Sequence, residues 1–385
     1  MRRTMKRFLC PMLVIAMTAT VPMTALAEQS PEFSRTAEEW AALRDNTLDY
    51  SEIPGLVHEY NTTVLSSALT YKENRGKTSS DVAQSYYDAA DDIAGTLDTP
   101  DTDSPTYASE ITRYLSSVIS YENLLNQGDT NTNDAYTEKL TNDKEEATLV
   151  KQAQEYMISY WTQKVSLETY QTNLQEAEAN LNTVSTQIAA GTAVASSLST
   201  AQQRVSSAKA QLESAQTNLN STKEKLCLML GWSYGADVNI TELPEITAEQ
   251  IAAIDLNADI ESAKANNYSL AITNRQLSNA KNTTTAESLQ VTKDESERSI
   301  GNTVSSQYQS LTLAWSDYEQ AVTAYNLQQQ TAATAARKLE AGMITQTAYN
   351  TIADGLTSAQ INVQTKKYAV LKAYNAYEWA VNGLA

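Results

Sequence analysis

The chain has 385 residues, a length that allows two domains. It contains 11 glycines, 7 prolines and 2 phenylalanines, which favours long helices and argues against a large sheet or sandwich. The formal net charge is −18; without the four basic residues of the first seven positions, 24 Lys+Arg face 46 Asp+Glu, or −22. So acidic a chain will not bind nucleic acid or an anionic membrane surface through its bulk charge.

The first 27 residues predict a secretory signal. Basic residues within 2–7 precede a mainly apolar run over 8–24, and Ala25-Leu26-Ala27 forms an A-x-A cleavage site. A non-cleaved anchor is the alternative. Cys10 lacks a preceding lipobox, so a lipoprotein is not expected. The exported chain then keeps one cysteine, Cys227, which is expected to be a small buried hydrophobe without an intramolecular disulfide.

The residues after the signal predict two helical repeats. The predicted segments are, in order, an exported leader over 28–53, a first helical repeat over 54–232, an inter-repeat segment over 233–254 and a second helical repeat over 255–385. In the first repeat, Pro54 is expected to begin a short helix over about 55–72, because proline is tolerated in a first helical turn. A polar helical insertion follows over about 78–130, predicted as helices over about 79–94 and 108–126 with a loop from Gly128.

A coiled-coil seam runs along the first long helix, which is expected to begin near Asn131. Small and apolar residues recur there at steps of three and four: Leu167, Tyr170, Leu174, Ala177, Leu181, Val184 and Ile188. Gly191 is predicted to end the helix, since glycine adopts a positive φ without steric cost. The seam resumes in a returning helix that ends at Gly231: Leu198, Ala201, Val205, Ala208, Leu212, Ala215, Leu219, Thr222, Leu226 and Met229.

The same unit occurs again, with its tip at Gly342 and its end at Gly383. The descending seam is Val304, Tyr308, Leu311, Trp315, Tyr318, Val322, Tyr325, Gln329, Ala332, Ala336 and Leu339. The returning seam is Tyr349, Ile352, Leu356, Ala359, Val363, Lys366, Val370, Ala373, Tyr377 and Ala380. Tip and end are 40 residues apart in the first copy and 41 in the second, which indicates duplication of a whole long hairpin.

The segment between the copies has the composition of a loop. Its β-branched residues Val238, Ile240 and Thr241 predict a short strand. Thr247 or Asp255 is expected to start the second copy. Its remaining predicted parts are a helix over about 259–280, a reversal over 282–285 and a long helix over about 286–340, with Gly301 as a candidate kink.

No catalytic constellation is visible in the exported chain. It contains one histidine, His58, and one cysteine, Cys227, which leaves no His/Cys metal cluster. We therefore expect no enzyme activity, no metal and no cofactor. His58 is expected at the surface near the start of the first short helix, and Trp161, Trp315 and Trp379 are expected to pack between helices.

Several of these features together resemble the TolC-like outer membrane efflux protein family, over about residues 55–385. Each copy has an asparagine at the start of a short helix, in Glu59-Tyr60-Asn61-Thr62 and in Asn266-Asn267-Tyr268-Ser269-Leu270. Each has an Ala-Gly tip, and Arg337-Lys338-Leu339-Glu340-Ala341-Gly342 is the more similar of the two. The resemblance implies an all-α fold of long antiparallel helical hairpins in two tandem repeats, packed as coiled coils and assembled into an α-helical barrel.

The resemblance also implies a function. It implies a homotrimeric trans-envelope duct that conducts substrates passively, driven by an inner-membrane pump through a periplasmic adaptor (membrane fusion) protein. The entrance and the adaptor contacts would then lie at the tips, with these residues as candidates: Gly191, Thr192, Leu198, Gly342, Met343, Thr345 and Tyr349. In that setting, an aromatic girdle at the duct mouth is the alternative role for the three tryptophans.

Two departures from the family keep alternatives open. Membrane-spanning strands of the family show about ten residues of alternating hydrophobicity, and no such segment is evident here. The location is therefore either the outer membrane or an extracytoplasmic site in a cell without one. Family members carry carboxylates after the second tip glycine, where this chain has Ala348 and Thr351, with Asp354 further along. The alternative function is a secreted or envelope-associated structural coiled coil without a conduit.

Overall fold

A computed structural model describes residues 30–385, so the predicted signal lies outside the described residues. The elements are, in chain order, α1 (Ala37–Leu43), β1 (Thr47–Leu48), α2 (Ile53–Tyr60), α3 (Thr62–Asn74), α4 (Ser79–Ala94), α5 (Tyr107–Thr130), α6 (Ala135–Ala189), α7 (Ala195–Met229), β2 (Asn239–Ile240), α8 (Ala248–Ala252), α9 (Leu256–Asn266), α10 (Tyr268–Asn279), α11 (Thr283–Glu340) and α12 (Gln346–Trp379). The helices α6 and α7 form one long hairpin and α11 and α12 the other, which confirms the predicted fold class.

The buried faces of the long helices follow the predicted seams. From Leu167 to Ile188, every predicted seam residue is half-buried, and nearly all residues between them are exposed. Half-burial is what a single packed partner helix produces, since one stripe contacts it and the flanks stay open. The prediction of Gln329 as a seam residue is wrong, because its side chain is exposed. Its neighbour Gln328 is half-buried and donates from Nε2 to the carbonyl of Ile352 at 3.2 Å. A straight helix drifts about 20° per heptad, so a strict seam loses register over this length.

Two short helices that the sequence predicts as continuous are each broken at an asparagine. At Asn61, which separates α2 from α3, the backbone is extended and the side chain accepts from the amides of Thr63 and Val64. Asn267 separates α9 from α10 in the same way and accepts from the amide of Leu270 at 2.9 Å. Asparagine is a strong N-cap, so each residue starts a new helix, in agreement with the two asparagine motifs and against the continuous helices predicted over about 55–72 and 259–280.

Two predicted loops are helical. The loop predicted from Gly128 is the last turn of α5. Gly128 is buried against the ring of Tyr87, and a Cβ atom at this position would lie only 2.3 Å from Cε1 of that ring. The reversal predicted over 282–285 ends at Asn282, whose side chain accepts from the amide of Thr285 and starts α11. Capping by Asn282 thus outweighs the weak helix preference of the threonines that follow it.

The leader packs into the core of the first repeat. Trp40, Leu43, Leu48 and Ile53 are buried in the cluster that also holds residues of α2, α6, α7 and α12. The strand predicted near Ile240 is present as β2, and it pairs in parallel with β1 of the leader. The leader is therefore held by apolar burial and by a two-stranded ladder.

The tryptophans predicted to pack between helices do so. Trp161 is buried and donates from Nε1 to the carbonyl of Thr241 at 2.8 Å. Trp379 of α12 donates to Oε1 of Gln154 on α6 at 2.7 Å, and so joins the two hairpins. Trp315 packs with Tyr318 in a second cluster formed by α9 to α12. Cys227 is buried, as predicted, and burial raises the pKa of its thiol.

His58 lies near the end of α2 and not near the start of a helix, because Asn61 ends α2 early. Its Nδ1 lies 2.9 Å from Oε1 of Glu146 on α6, and about half of the side chain is exposed, as predicted. Hydrogen bonding to Glu146 raises the pKa of the imidazole above 6.5.

The His58–Glu146 pair is expected to make stability depend on pH. Because the folded-state pKa is raised, its contribution is fully present below pH 6.5 and is lost as pH rises through the folded-state value. The half-exposed pair is screened by solvent, so the effect is below ~1 kcal/mol. Urea midpoints should fall from pH 6 to pH 8 in the native chain and much less in His58→Gln. An equal change of the urea midpoint between pH 6 and pH 8 in both proteins would contradict this prediction, because the chain has no other histidine.

Candidate functional site at the hairpin tips

Both hairpin tips turn with the same backbone hydrogen bonds. At the first tip, the amide of Gly191 donates to the carbonyl of Ile188 at 2.9 Å, and the amide of Thr192 donates to that of Gln187 at 2.8 Å. At the second, Gly342 donates to Leu339 at 2.9 Å and Met343 donates to Lys338 at 2.8 Å. This pair of bonds is the Schellman motif, which satisfies the last carbonyls of a helix.

The tip glycines are required for their backbone conformation. Gly191 has φ +70° and Gly342 has φ +68°, values that side chains on L-residues rarely allow. A Cβ atom built on either glycine would meet nothing within 4 Å. Both tips are therefore open to solvent, and a partner could approach the backbone there.

The two tips differ in how the returning helix begins. Thr345, three residues after Gly342, accepts from the amide of Ala348 at 3.2 Å and so caps α12. Val194, three residues after Gly191, occupies the same position before α7 and has no side-chain cap. The first tip therefore has the less stable helix start.

This difference predicts opposite effects of exchanging the caps. Thr345→Ala should lower the free energy of unfolding by about 1 kcal/mol, because an amide of α12 loses its acceptor. Val194→Thr should raise it, by up to about 1 kcal/mol, since it supplies the missing acceptor. Urea unfolding followed by circular dichroism measures both. A loss in both variants, or no change in either, would contradict the assignment.

The surface of the tips is apolar and weakly charged. Val194 is 66% exposed and Met343 is 72% exposed. No charged residue lies between Glu178 and Arg204, although the chain as a whole is strongly acidic. The second tip has three exposed charged residues in the last turn of α11, the cations Arg337 and Lys338 and the carboxylate Glu340. At the first tip, an exposed apolar residue without surrounding charge is typical of a surface that packs against another protein.

The remaining predicted tip residues lie within the hairpins. Leu198 and Tyr349 are half-buried in the first turns of α7 and α12, on the seams. The Oγ1 atom of Thr192 donates to the carbonyl of Gln187 at 2.9 Å. No hydrogen bond or ion pair joins one tip to the other within residues 30–385. Ala348 and Thr351, at the positions where the resemblance would place carboxylates, are exposed, and Asp354 further along α12 is half-buried.

No three histidine, cysteine, aspartate or glutamate side chains in residues 30–385 are grouped so that they could hold a metal ion. Along the same residues, no helix combines the length and the apolar character needed to cross a membrane.

Solved structures share this architecture. A membrane protein from Pseudomonas aeruginosa matches 86% of this chain and 93% of its own length, with 13% identity and a TM-score of 0.50. The outer-membrane channel OprN matches 89% of this chain and 92% of its own, with 10% identity and a TM-score of 0.50. No family model and no curated protein matches the sequence.

At these identities the likeness shows the fold. The chain has a TolC-like fold, as the sequence predicted: two long helical hairpins in tandem, joined at their bases by short helices.

Proposed function

We propose that this chain is one subunit of a homotrimeric duct in the cell envelope, which conducts substrates passively. A pump supplies the energy, and an adaptor protein docks on the hairpin tips. The duct performs no covalent chemistry. The chain is exported, and the fold it shares with an outer-membrane channel supports a place in the outer membrane.

The main support for this proposal is the order in which the four long helices pack side by side, because it leaves one long helix at each edge of the subunit. The long helices pack in the order α11, α12, α6, α7, since α12 contacts α6 and each hairpin packs on itself. This order leaves α11 at one edge and α7 at the other. Two different edges on one subunit are what a closed ring of identical copies requires, with α7 of one copy against α11 of the next.

The edge helix α11 exposes apolar side chains along one side. Val291, Leu313 and Leu327 are 66%, 66% and 65% exposed. At 3.6 residues per turn, the three positions lie within about 40° of each other around the helix axis. These three side chains are spaced along the helix, and a neighbouring copy packed against this edge would remove their apolar surface from water.

The first test is the mass and shape of the exported protein, by light scattering and negative-stain imaging. The proposal expects a trimer of elongated, hollow particles. A monomer or a solid rod would contradict it and would favour a structural coiled coil without a conduit.

A pair of charge-introducing variants tests the edge directly. Leu313→Glu/Leu327→Glu places two carboxylates on the proposed interface and should convert the trimer to monomer. The control Gln171→Glu/Gln175→Glu adds the same charge at exposed positions of α6, a central helix of the layer, and should remain trimeric. Dissociation of both, or of neither, would contradict the assignment of α11 as an interface helix.

A tip variant tests the docking of a partner. Gly342→Val would force a branched side chain to φ +68° and place it on the open tip. It should reduce transport while the amount of exported, assembled protein changes little. Normal transport by this variant would count against a partner at the second tip.

A further inference from the structure

A cleft of about 500 Å³ lies where the two repeats meet, away from the hairpin tips. Its walls are the last turns of α12, one residue of α6, Tyr50 of the leader, and the inter-repeat segment with the first turn of α8. Its lining residues include Tyr50, Gln154, Tyr374, Asn375, Glu378 and Trp379. This volume falls within the range of about 300–1,000 Å³ that is typical of small-molecule sites.

An unused hydrogen-bond donor lies in the wall of the cleft. Asn375 is 7% exposed, and its Nδ2 atom is shielded from solvent without a hydrogen-bond partner. A buried donor without a partner destabilises the folded state, so its presence calls for an explanation. The terminal torsion of asparagine is soft, and rotation about it would turn the amide toward an acceptor in the cleft.

The rest of the lining is aromatic, with a single charge. Three rings, Tyr50, Tyr374 and Trp379, contribute to the walls, and the ring of Trp379 is fixed by its hydrogen bond to Gln154. Glu378 is the only charged residue among the lining residues. Burial and the neighbouring Glu378 raise the pKa of Tyr374 to about 12, which keeps its hydroxyl neutral.

Aromatic faces beside one carboxylate attract cations, and they repel anions. A cation close to the face of an aromatic ring is attracted by the negative charge density of that face, and the carboxylate adds a direct charge interaction. The unpaired amide of Asn375 selects a ligand that also carries a hydrogen-bond acceptor.

We propose that this cleft binds a small organic cation that combines an apolar body with a hydrogen-bond acceptor. The cation lies against the rings and Glu378, and its acceptor receives a bond from Asn375. The proposal concerns the junction of the repeats and does not depend on the duct function, so each can fail alone.

Benzoylcholine is a suitable probe, since it has an aromatic ring, an ester carbonyl and a quaternary ammonium. Its neutral isostere 3,3-dimethylbutyl benzoate differs only in having carbon in place of the charged nitrogen. Calorimetric titration of the full exported chain at low ionic strength should show benzoylcholine binding at least about tenfold more tightly, equivalent to about 1.4 kcal/mol.

Two variants assign the contacts. Glu378→Gln should weaken the binding of benzoylcholine by about tenfold and leave the affinity for the isostere unchanged. Glu319→Gln, at an exposed position of α11, should change neither affinity. Asn375→Leu should weaken the binding of benzoylcholine several-fold, because the ligand loses its hydrogen-bond donor. The same variant should raise the melting temperature of the protein, because it removes a buried donor that has no partner. A purely structural asparagine would not give these opposite signs.

Three outcomes would overturn the proposal. One is the absence of benzoylcholine binding to the folded native chain, and another is equal affinity for the isostere. The third is an equal effect of Glu378→Gln and Glu319→Gln. Circular dichroism of each variant shows that it is folded before its affinity is compared.

Discussion

Gly231→Ala is expected to lower the free energy of unfolding by about 3 kcal/mol, although the change adds one methyl group. Two costs combine. Gly231 has φ +91°, where a side chain costs about 1–2 kcal/mol. A Cβ atom there would also lie 2.4 Å from Cβ of Tyr60 and 3.3 Å from its carbonyl oxygen, and such overlap costs about 1–3 kcal/mol.

Gly235 provides a matched control four residues further along the chain. It also has a positive φ, +76°, but a Cβ atom there would meet nothing within 4 Å. Gly235→Ala should therefore cost only the conformational term, about 1 kcal/mol. Urea unfolding of both variants, followed by circular dichroism, measures the difference. Equal losses would show that the contact with Tyr60 does not matter.

The contact at Gly231 belongs to a junction that both repeats share. The Nδ2 atom of Asn61 donates to the carbonyl of Met229 at 2.8 Å, two residues before Gly231. In the second repeat, Asn266 donates to the carbonyl of Val381 at 3.4 Å, two residues before Gly383. Each closing glycine thus lets the end of a long hairpin lie directly against the break between two short helices.

The architecture was predictable because its signal is local and repeated. The spacing of the seam residues from Leu167 to Ile188 is enough to identify the buried face of their helix. The Ala-Gly sequences at the tips predict helix ends without any knowledge of tertiary contacts. The tip geometry at Gly191 and Gly342 follows from this local chemistry alone.

Contacts between distant segments were not predictable. The sequence around Gly231 predicts only a helix stop, because the contact with Tyr60 is made by a residue 171 positions earlier in the chain. The sequence likewise predicts the leader as a separate segment, since nothing in Thr47-Leu48 indicates a partner strand at Asn239-Ile240. The cleft beside Asn375 was missed for the same reason: its walls come from four separate stretches of the chain.

The leader also carries a buried ion pair that no pattern in the sequence indicates. The carboxylate of Glu59 on α2 is 1% exposed, and Nη1 of Arg35 donates to it at 2.8 Å. Its other oxygen accepts from the backbone amide of Ser30 at 3.0 Å. Glu59 thus joins the leader to the first short helix from within the core.

Arg35→Met is expected to destabilise the protein by about 3 kcal/mol, because it leaves the carboxylate of Glu59 buried without its cation. Arg44→Met is a closely matched control. Both guanidinium groups lie over the ring of Trp40, at 5.3 and 4.7 Å from its centroid, so each variant loses a similar ring contact. The partner of Arg44 is Glu32, which is 74% exposed, and the loss there should be much smaller.

A second substitution separates loss of the pair from loss of packing. Adding Glu59→Gln to Arg35→Met removes the buried charge while keeping an acceptor for Ser30, and should restore much of the stability. Chemical unfolding of the single and double variants gives the coupling free energy between the two side chains. If the double variant is as unstable as the sum of the two singles, Arg35 acts through its contacts with Trp40, and its ion pair with Glu59 adds nothing to the apolar burial and the strand pairing that hold the leader.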